Sequence, residues 1–214
     1  MPEPHPPLPF VDLPQQHEAA ELGMWAFLAT EVLFFGGLAF AYAVYRFSYP
    51  ADFAAAARHT RIEIGTANTA ILLTSSLLVA WAVAAAKLRE GRVAAILLSV
   101  AALMGAGFLC LKGLEYTLEY REHLVPGVDF VFAAPSARGA ELFFLLYFIA
   151  TGLHTIHLLV GIVVLALIAR RAGQGAYSPD YHAPLTVAAL YWHFVDLVWI
   201  FLFALIYLPG RSAA

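Results

Sequence analysis

Residues 191–203 read YWHFVDLVWIFLF, an aromatic and aliphatic stretch broken by His193 and Asp196. Three residues apart on a helix, an imidazole and a carboxylate fall on one face. The rest of the segment is apolar all round, which marks a helix surrounded by other apolar matter, either a large protein core or lipid. Composition decides between these two. Of the 214 residues, 62% are hydrophobic and 13% charged, against about 25% charged in soluble domains. A chain this short has too little interior to hide so much apolar surface from water. The surroundings are a bilayer.

Working outward, five apolar runs emerge, at about 22–46, 64–86, 93–118, 142–169 and 184–208. Each exceeds the ~20 residues that cross ~30 Å of hydrocarbon. Backbone polar groups in lipid must pair within their own segment, so every run is predicted to be a helix. The breakers and charges collect between them, in SYPADFAAAARHTR, KLREGR, REHLVPGVDFVFAAPSARG and RRAGQGAYSPDYH. The expected fold is all-α, an integral membrane bundle of five transmembrane helices forming one domain over residues 21–210. Residues 1–20 are expected to be an extended tail, since residues 1–14 hold six of the twelve prolines and proline fixes φ and removes donors.

The same numbers exclude other classes. One cysteine, Cys110, allows no internal disulfide framework. A net charge of −3 gives no reason to expect nucleic acid as a partner. The N-terminus lacks a basic stretch running into a short apolar one, so no secretory signal is expected. Five spans place the termini on opposite sides. Apart from Lys112, the basic residues divide five to six between the two sides, too evenly for the positive-inside rule to orient the chain.

Ionisable groups at membrane depth cost about 2.5–3.5 kcal/mol on insertion scales and must face protein or water. Glu31 lies nine residues beyond Leu22, at a depth of roughly 14 Å. Its carboxyl is read either as a bond to a neighbouring helix or as a group that moves protons or meets lipid. Gly36 and Gly37 just beyond it would admit another backbone. On the second run Gly65, Asn68, Thr69, Ser75 and Ser76 form a stripe of small and hydroxylic residues suited to lateral helix packing. Lys112 and Glu115, near the end of the third run, are read as a charge pair with a snorkelling lysine, or as a contact for a lipid headgroup. On the fourth run Tyr147, Thr151, His154, His157 and Gly161 share one side. Two histidines there raise a metal or haem site, but a carboxylate-bridged dinuclear centre would want Glu-x-x-His motifs, and the sequence contains none. Hydrogen-bonded histidines are the expected reading. His193 and Asp196 are expected to pair with each other, and Glu31, His154, His157, His193 and Asp196 to gather in one interior.

At these residues the chain resembles the subunit III family of haem–copper terminal oxidases, cytochrome c oxidase subunit 3. The stretches that carry the resemblance are GMWAFLATEVLFFGGL, NTAILLTSS, LKGLEY, LVPG, ATGLHTIHLLVG and YWHFVDLVWIFLFALIY, in order from about residue 22 to 208. The resemblance implies a five-helix bacterial form of a fold that otherwise has seven helices. Glu31 matches the family's buried carbodiimide-reactive carboxylate, His154 and His157 its fourth-helix pair, and His193 with Asp196 its fifth-helix signature. Lys112 stands where the family varies.

Several expectations come with it. The chain would be the non-catalytic subunit III of a proton-pumping oxidase in a bacterial cell membrane, its N-terminus cytoplasmic and its C-terminus outside. It would bind no haem or copper itself, both residing in partner subunits. Subunit I would be its main contact, with subunits II and IV beyond it, and it would hold phospholipid and support proton uptake. The electron donor, cytochrome c or quinol, is not written in this chain. Two other readings stay open on the residues alone: an accessory subunit of a nitric oxide reductase, and a stand-alone proton or solute channel.

Overall fold

The computed structural model describes residues 13–132, 137–177 and 181–211. These form six helices: α1 Leu13–Ser48, α2 Pro50–His59, α3 Ile62–Lys87, α4 Gly91–Arg121, α5 Ala137–Gly173 and α6 Ala183–Ile206. Five of them, all but α2, are long and apolar enough to cross a membrane. The all-α fold with five membrane-long helices is as the sequence led us to expect.

Two expectations need correction. Residues 13–20 were expected in the extended tail, yet they are the first turns of α1. After Pro14 the chain reads QQHEAAE, all helix-compatible, and proline in a first turn removes a donor that had no intrahelical partner. Residues 1–12 of that tail lie outside the described residues. The first connection, SYPADFAAAARHTR, read from its breakers and charges as lying between helices, itself contains α2. Pro50 opens this helix, and Asp52, Phe53, Ala56 and Ala57 form its buried face. Phe53 packs edge-on against Tyr42 of α1 and Phe143 of α5, with ring centroids 5.3 and 5.5 Å apart. The Asp52 carboxylate occupies the space that a Cβ on Gly139 would need. That glycine lies in the first turn of α5, where a negative charge is stabilised by the helix dipole.

Three helices end alike. After α3, Glu90 N–H bonds Ala85 carbonyl at 2.9 Å and Arg89 N–H bonds Ala86 at 3.1 Å. After α4, Leu124 N–H bonds Glu119 carbonyl and His123 N–H bonds Tyr120. After α5, Ala176 N–H bonds Arg171 and Gly175 N–H bonds Ala172. The paired bonds satisfy carbonyls that the helix leaves unpaired. This ending needs a left-handed residue, and only α5 supplies a glycine: φ is 63° at Arg89, 58° at His123 and 75° at Gly175.

α3 and α4 share the most extensive contact of any helix pair, and their buried residues include Ala82, Ala85, Ala86, Ala94 and Ala101, small side chains that let backbones approach closely. α5 and α6 close a four-helix group around Leu98, Phe108, Tyr147, Trp192 and Trp199, each at most 1% exposed. α1 lies on α5 and α6 along one seam. Leu28, Phe35 and Tyr42 are its buried residues, with Met24 and Leu38 partly buried beside them. The positions 24, 28, 31, 35, 38 and 42 alternate in steps of four and three, the spacing of a coiled-coil seam. Glu31 occupies one of those positions.

Candidate functional site

Because Glu31 sits on the seam, its side chain is directed at α5. Its Oε2 stands 3.1 Å from His157 Nε2, each side chain less than a fifth exposed. His157 Nδ1 lies 2.8 Å from the Leu153 carbonyl, and a carbonyl can only accept, so Nδ1 carries a proton. The Nε2–Oε2 contact therefore holds one proton, on the acid or on the imidazole. Tyr191 of α6 donates its hydroxyl to the His157 carbonyl at 3.0 Å, and Phe35 packs edge-on to the imidazole at 5.3 Å. Three helices thus meet at this pair.

The remaining expected members of that constellation lie elsewhere. His154, one turn before His157, points into a different part of the bundle. Its ring is fully buried between Phe108 and Trp199, 5.6 and 5.2 Å away. Neither nitrogen has a hydrogen-bond partner among the described residues. The expected hydrogen-bonded histidine pair is half correct: His157 is bonded and His154 is boxed by aromatic rings.

The expected His193–Asp196 pair does not form. His193 Nδ1 is hydrogen-bonded to Ser76 of α3 at 2.6 Å. Asp196 is 3% exposed; Ser76 lies close enough to influence it, but neither carboxyl oxygen has a partner in hydrogen-bonding geometry. Residues three apart share a face, yet here the facing hydroxyl on α3 takes the imidazole first.

The small polar stripe on α3 receives the indoles of α6. Trp192 Nε1 donates to Ser75 Oγ at 3.1 Å, and Trp199 Nε1 to Thr69 Oγ1 at 3.0 Å. Ser75 passes its own proton to the Leu72 carbonyl. A Cβ on Gly65 would come within 3.0 Å of Phe203 and Tyr207. Asn68 is fully buried, and its amide has no hydrogen bond among the described residues. Gly161 fits its expected packing role, since a Cβ there would meet Trp192 at 3.0 Å. Gly36 and Gly37 do not: a Cβ on either finds nothing within 4 Å. Among the described residues no other helix makes use of them.

The expected charge pair of Lys112 and Glu115 forms, but the lysine does not snorkel: it is 1% exposed. Its ammonium donates to Glu115 Oε2 at 2.9 Å and to the hydroxyls of Tyr147 and Tyr207 at 2.8 Å each. Tyr207 in turn donates to Glu115, with 2.8 and 3.1 Å to its two oxygens. The ammonium lies 4.4 Å from the Tyr147 ring centroid and 5.6 Å from that of Trp199, distances at which a ring face attracts a cation. Tyr116 donates to Thr151 Oγ1 at 2.6 Å, because that hydroxyl spends its proton on the Tyr147 carbonyl. The sequence reading missed Tyr207. A tyrosine closing an apolar run just before LPG was its one signal.

Between α1 and α6 runs an apolar cleft of about 680 Å³ lined by Trp25, Ala29, Val32, Leu190, Phe194 and Leu197, with His193 as its polar wall. Among the described residues no group of three or more His, Cys, Asp or Glu side chains converges as a metal site.

Comparison with known proteins agrees with this architecture. The family model described as cytochrome c oxidase subunit III matches residues 14–211. Cytochrome c oxidase subunit 3 of Thermostichus vulcanus is 32% identical over 192 residues, covering 89% of this chain and 87% of that protein. The protein of the same name from Salmo salar is 30% identical over 203 residues, covering 92% of this chain and 72% of its own length.

Proposed function

The chain belongs to the cytochrome c oxidase subunit III family, and on that premise we propose that it is the non-catalytic subunit III of a proton-pumping respiratory oxidase that reduces oxygen to water. In this reading it lies in a bacterial cell membrane with its N-terminus cytoplasmic. It packs against subunit I, with subunits II and IV as further neighbours, while haem and copper reside in those partners. The observation that carries the reading is the family match over 14–211.

Roles within the complex follow from where the polar groups sit. Glu31 with His157 ties α1 to α5 at mid-depth and holds a proton at the seam, which supports a part in proton uptake or in turnover lifetime. The α1–α6 cleft offers an apolar wall and one imidazole, which suits a phospholipid acyl chain. α1 turns Leu33, Phe40 and Phe47, each more than 70% exposed, away from the bundle. That face, with Gly36 and Gly37, suits the partner that subunit I would provide.

Purification in mild detergent through a tag on this chain tests the proposal. Co-purification of a larger haem-bearing subunit, with all haem assigned to it by spectrum and mass spectrometry, and oxygen consumption by the sample are expected. Nitric oxide reduction without oxygen consumption would shift the assignment to a nitric oxide reductase. A colourless chain recovered alone that conducts protons in liposomes would defeat the subunit reading.

A further inference from the structure

The last three turns of α4 hold a cluster whose formal charges do not balance. Lys112, Glu115 and Glu119 share a face and are 1%, 0% and 3% exposed. One ammonium therefore stands against two carboxyls. An ammonium has three N–H donors, and Glu115, Tyr147 and Tyr207 take all of them. Both Glu115 oxygens are engaged by Lys112 and Tyr207. For Glu119 that leaves the Tyr147 O–H as the one proton in the cluster not yet donated. Neither of its oxygens has a hydrogen-bond partner among the described residues, although the Tyr147 hydroxyl, Lys112, Glu115 and Glu122 are near enough to act on it. A carboxylate that is dry, next to an already neutralised pair and offered one phenol at most lacks the compensation its charge needs, and a group so placed neutralises instead.

The geometry points to Glu119 as a proton-binding site, holding an exchangeable proton taken from the aqueous side at the C-terminal end of α4. The bound proton leaves the triad electrically neutral. The charged and titratable groups around it are Lys112, Glu115 and Tyr116 on its own helix, Glu122 just after it, Tyr147 on α5 and Tyr207 after α6. Access comes from one turn further on. Glu122 is partly exposed at the helix end, where it binds His59 at 3.0 Å and the Arg61 guanidinium. Its carboxylate and the His59 imidazole are the solvent-facing groups from which a proton would pass to Glu119. Glu31 and His157 take no part, so the site is separate from the seam pair. It belongs to this chain alone and does not depend on which gas the assembly reduces.

Infrared difference spectroscopy on the chain purified with its partner subunits tests it, comparing wild type with Glu119→Gln. Glutamine reproduces the shape and charge of the protonated acid, so the variant is expected to assemble in wild-type yield. The wild-type-minus-variant spectrum at neutral pH is expected to show a carboxylic acid carbonyl band that shifts in D2O and is lost at alkaline pH. Absence of the band, or a band indifferent to D2O, overturns the proposal. Failure of Glu119→Gln to assemble overturns it too, because that would mean the folded protein needs the negative charge.

Discussion

α1 and the group α3–α6 are equally helical, apolar and long, but they are held by different means. In the most apolar eighteen-residue stretch of α1, 17% of residues are buried, against 56% in α6. In a bilayer, burial of apolar surface does not drive helix against helix, because lipid is as apolar as leucine. What remains is close packing and polar bonding. The four-helix group has both: alanine-lined backbones, indoles donating into α3, and the Lys112 cluster tying α4, α5 and the end of α6 together. α1 has a single seam with one polar pair. The consequence is a rigid group carrying a helix that is largely turned to its surroundings.

The most damaging way to break this comparison is Lys112→Met. The substitution keeps the length and removes the ammonium, leaving Glu115 and two tyrosine hydroxyls without their shared donor. Breaking one side of a buried pair costs about 3–5 kcal/mol. We expect a large drop in the recovery of the chain with its partners and in the thermal midpoint of the assembly. An unchanged midpoint would mean that the rigid group does not depend on its polar centre.

Next in size comes overpacking at Trp192. A Cβ on Gly105 would stand 2.8 Å from the far edge of that indole and 3.0 Å from Ile162. Forcing extra volume into a filled core costs about 1–3 kcal/mol, so Gly105→Ala is expected to lower the midpoint by less than Lys112→Met. Wild-type stability would show that Trp192 can shift, and that its bond to Ser75 is dispensable.

His157→Leu acts on the seam instead. It removes the partner of Glu31 while the apolar seam residues stay. Hydrogen bonds between membrane helices are worth about 0.6 kcal/mol on average and up to about 1.7. Hydrogen exchange should therefore rise along α1 and remain at wild-type rates in α3–α6. Equal acceleration in both regions would merge what the comparison separates.

The contrast was only partly legible in the sequence. Five spans follow from the length and hydropathy of the runs, and Gly161 and the α3 stripe from the spacing of small residues. α2 escaped because PADFAAAARH is short and sits among breakers, and its burial depends on Tyr42 and Phe143, which are near it only after folding. The His193–Asp196 pair failed for the same kind of reason. Spacing along one helix says that two groups can meet, but Ser76, more than a hundred residues away, decides that His193 bonds across the interface. Lys112 looked like a terminal lysine paired with Glu115 because both lie on one helix end, while its other two acceptors, Tyr147 on α5 and Tyr207 just after α6, were not visible. The α1 seam was readable in principle from the alternating steps of four and three. Glu31 in that pattern looks like a breach of it until His157 is seen opposite.

The smallest effect within the chain belongs to Gly36→Ala, and it sharpens the comparison most. A methyl group there meets nothing within 4 Å, and alanine in a helix interior is about 1 kcal/mol more favourable than glycine. In the isolated chain the substitution should leave the midpoint unchanged or raise it slightly. In the assembly the sign reverses if a partner helix uses the same glycine for close approach, since small residues at such contacts let backbones come together. Measuring both preparations side by side separates the outcomes. A loss confined to the assembly assigns the open face of α1 to a protein neighbour, whereas a gain in both assigns it to lipid, which yields to a methyl group at no comparable cost.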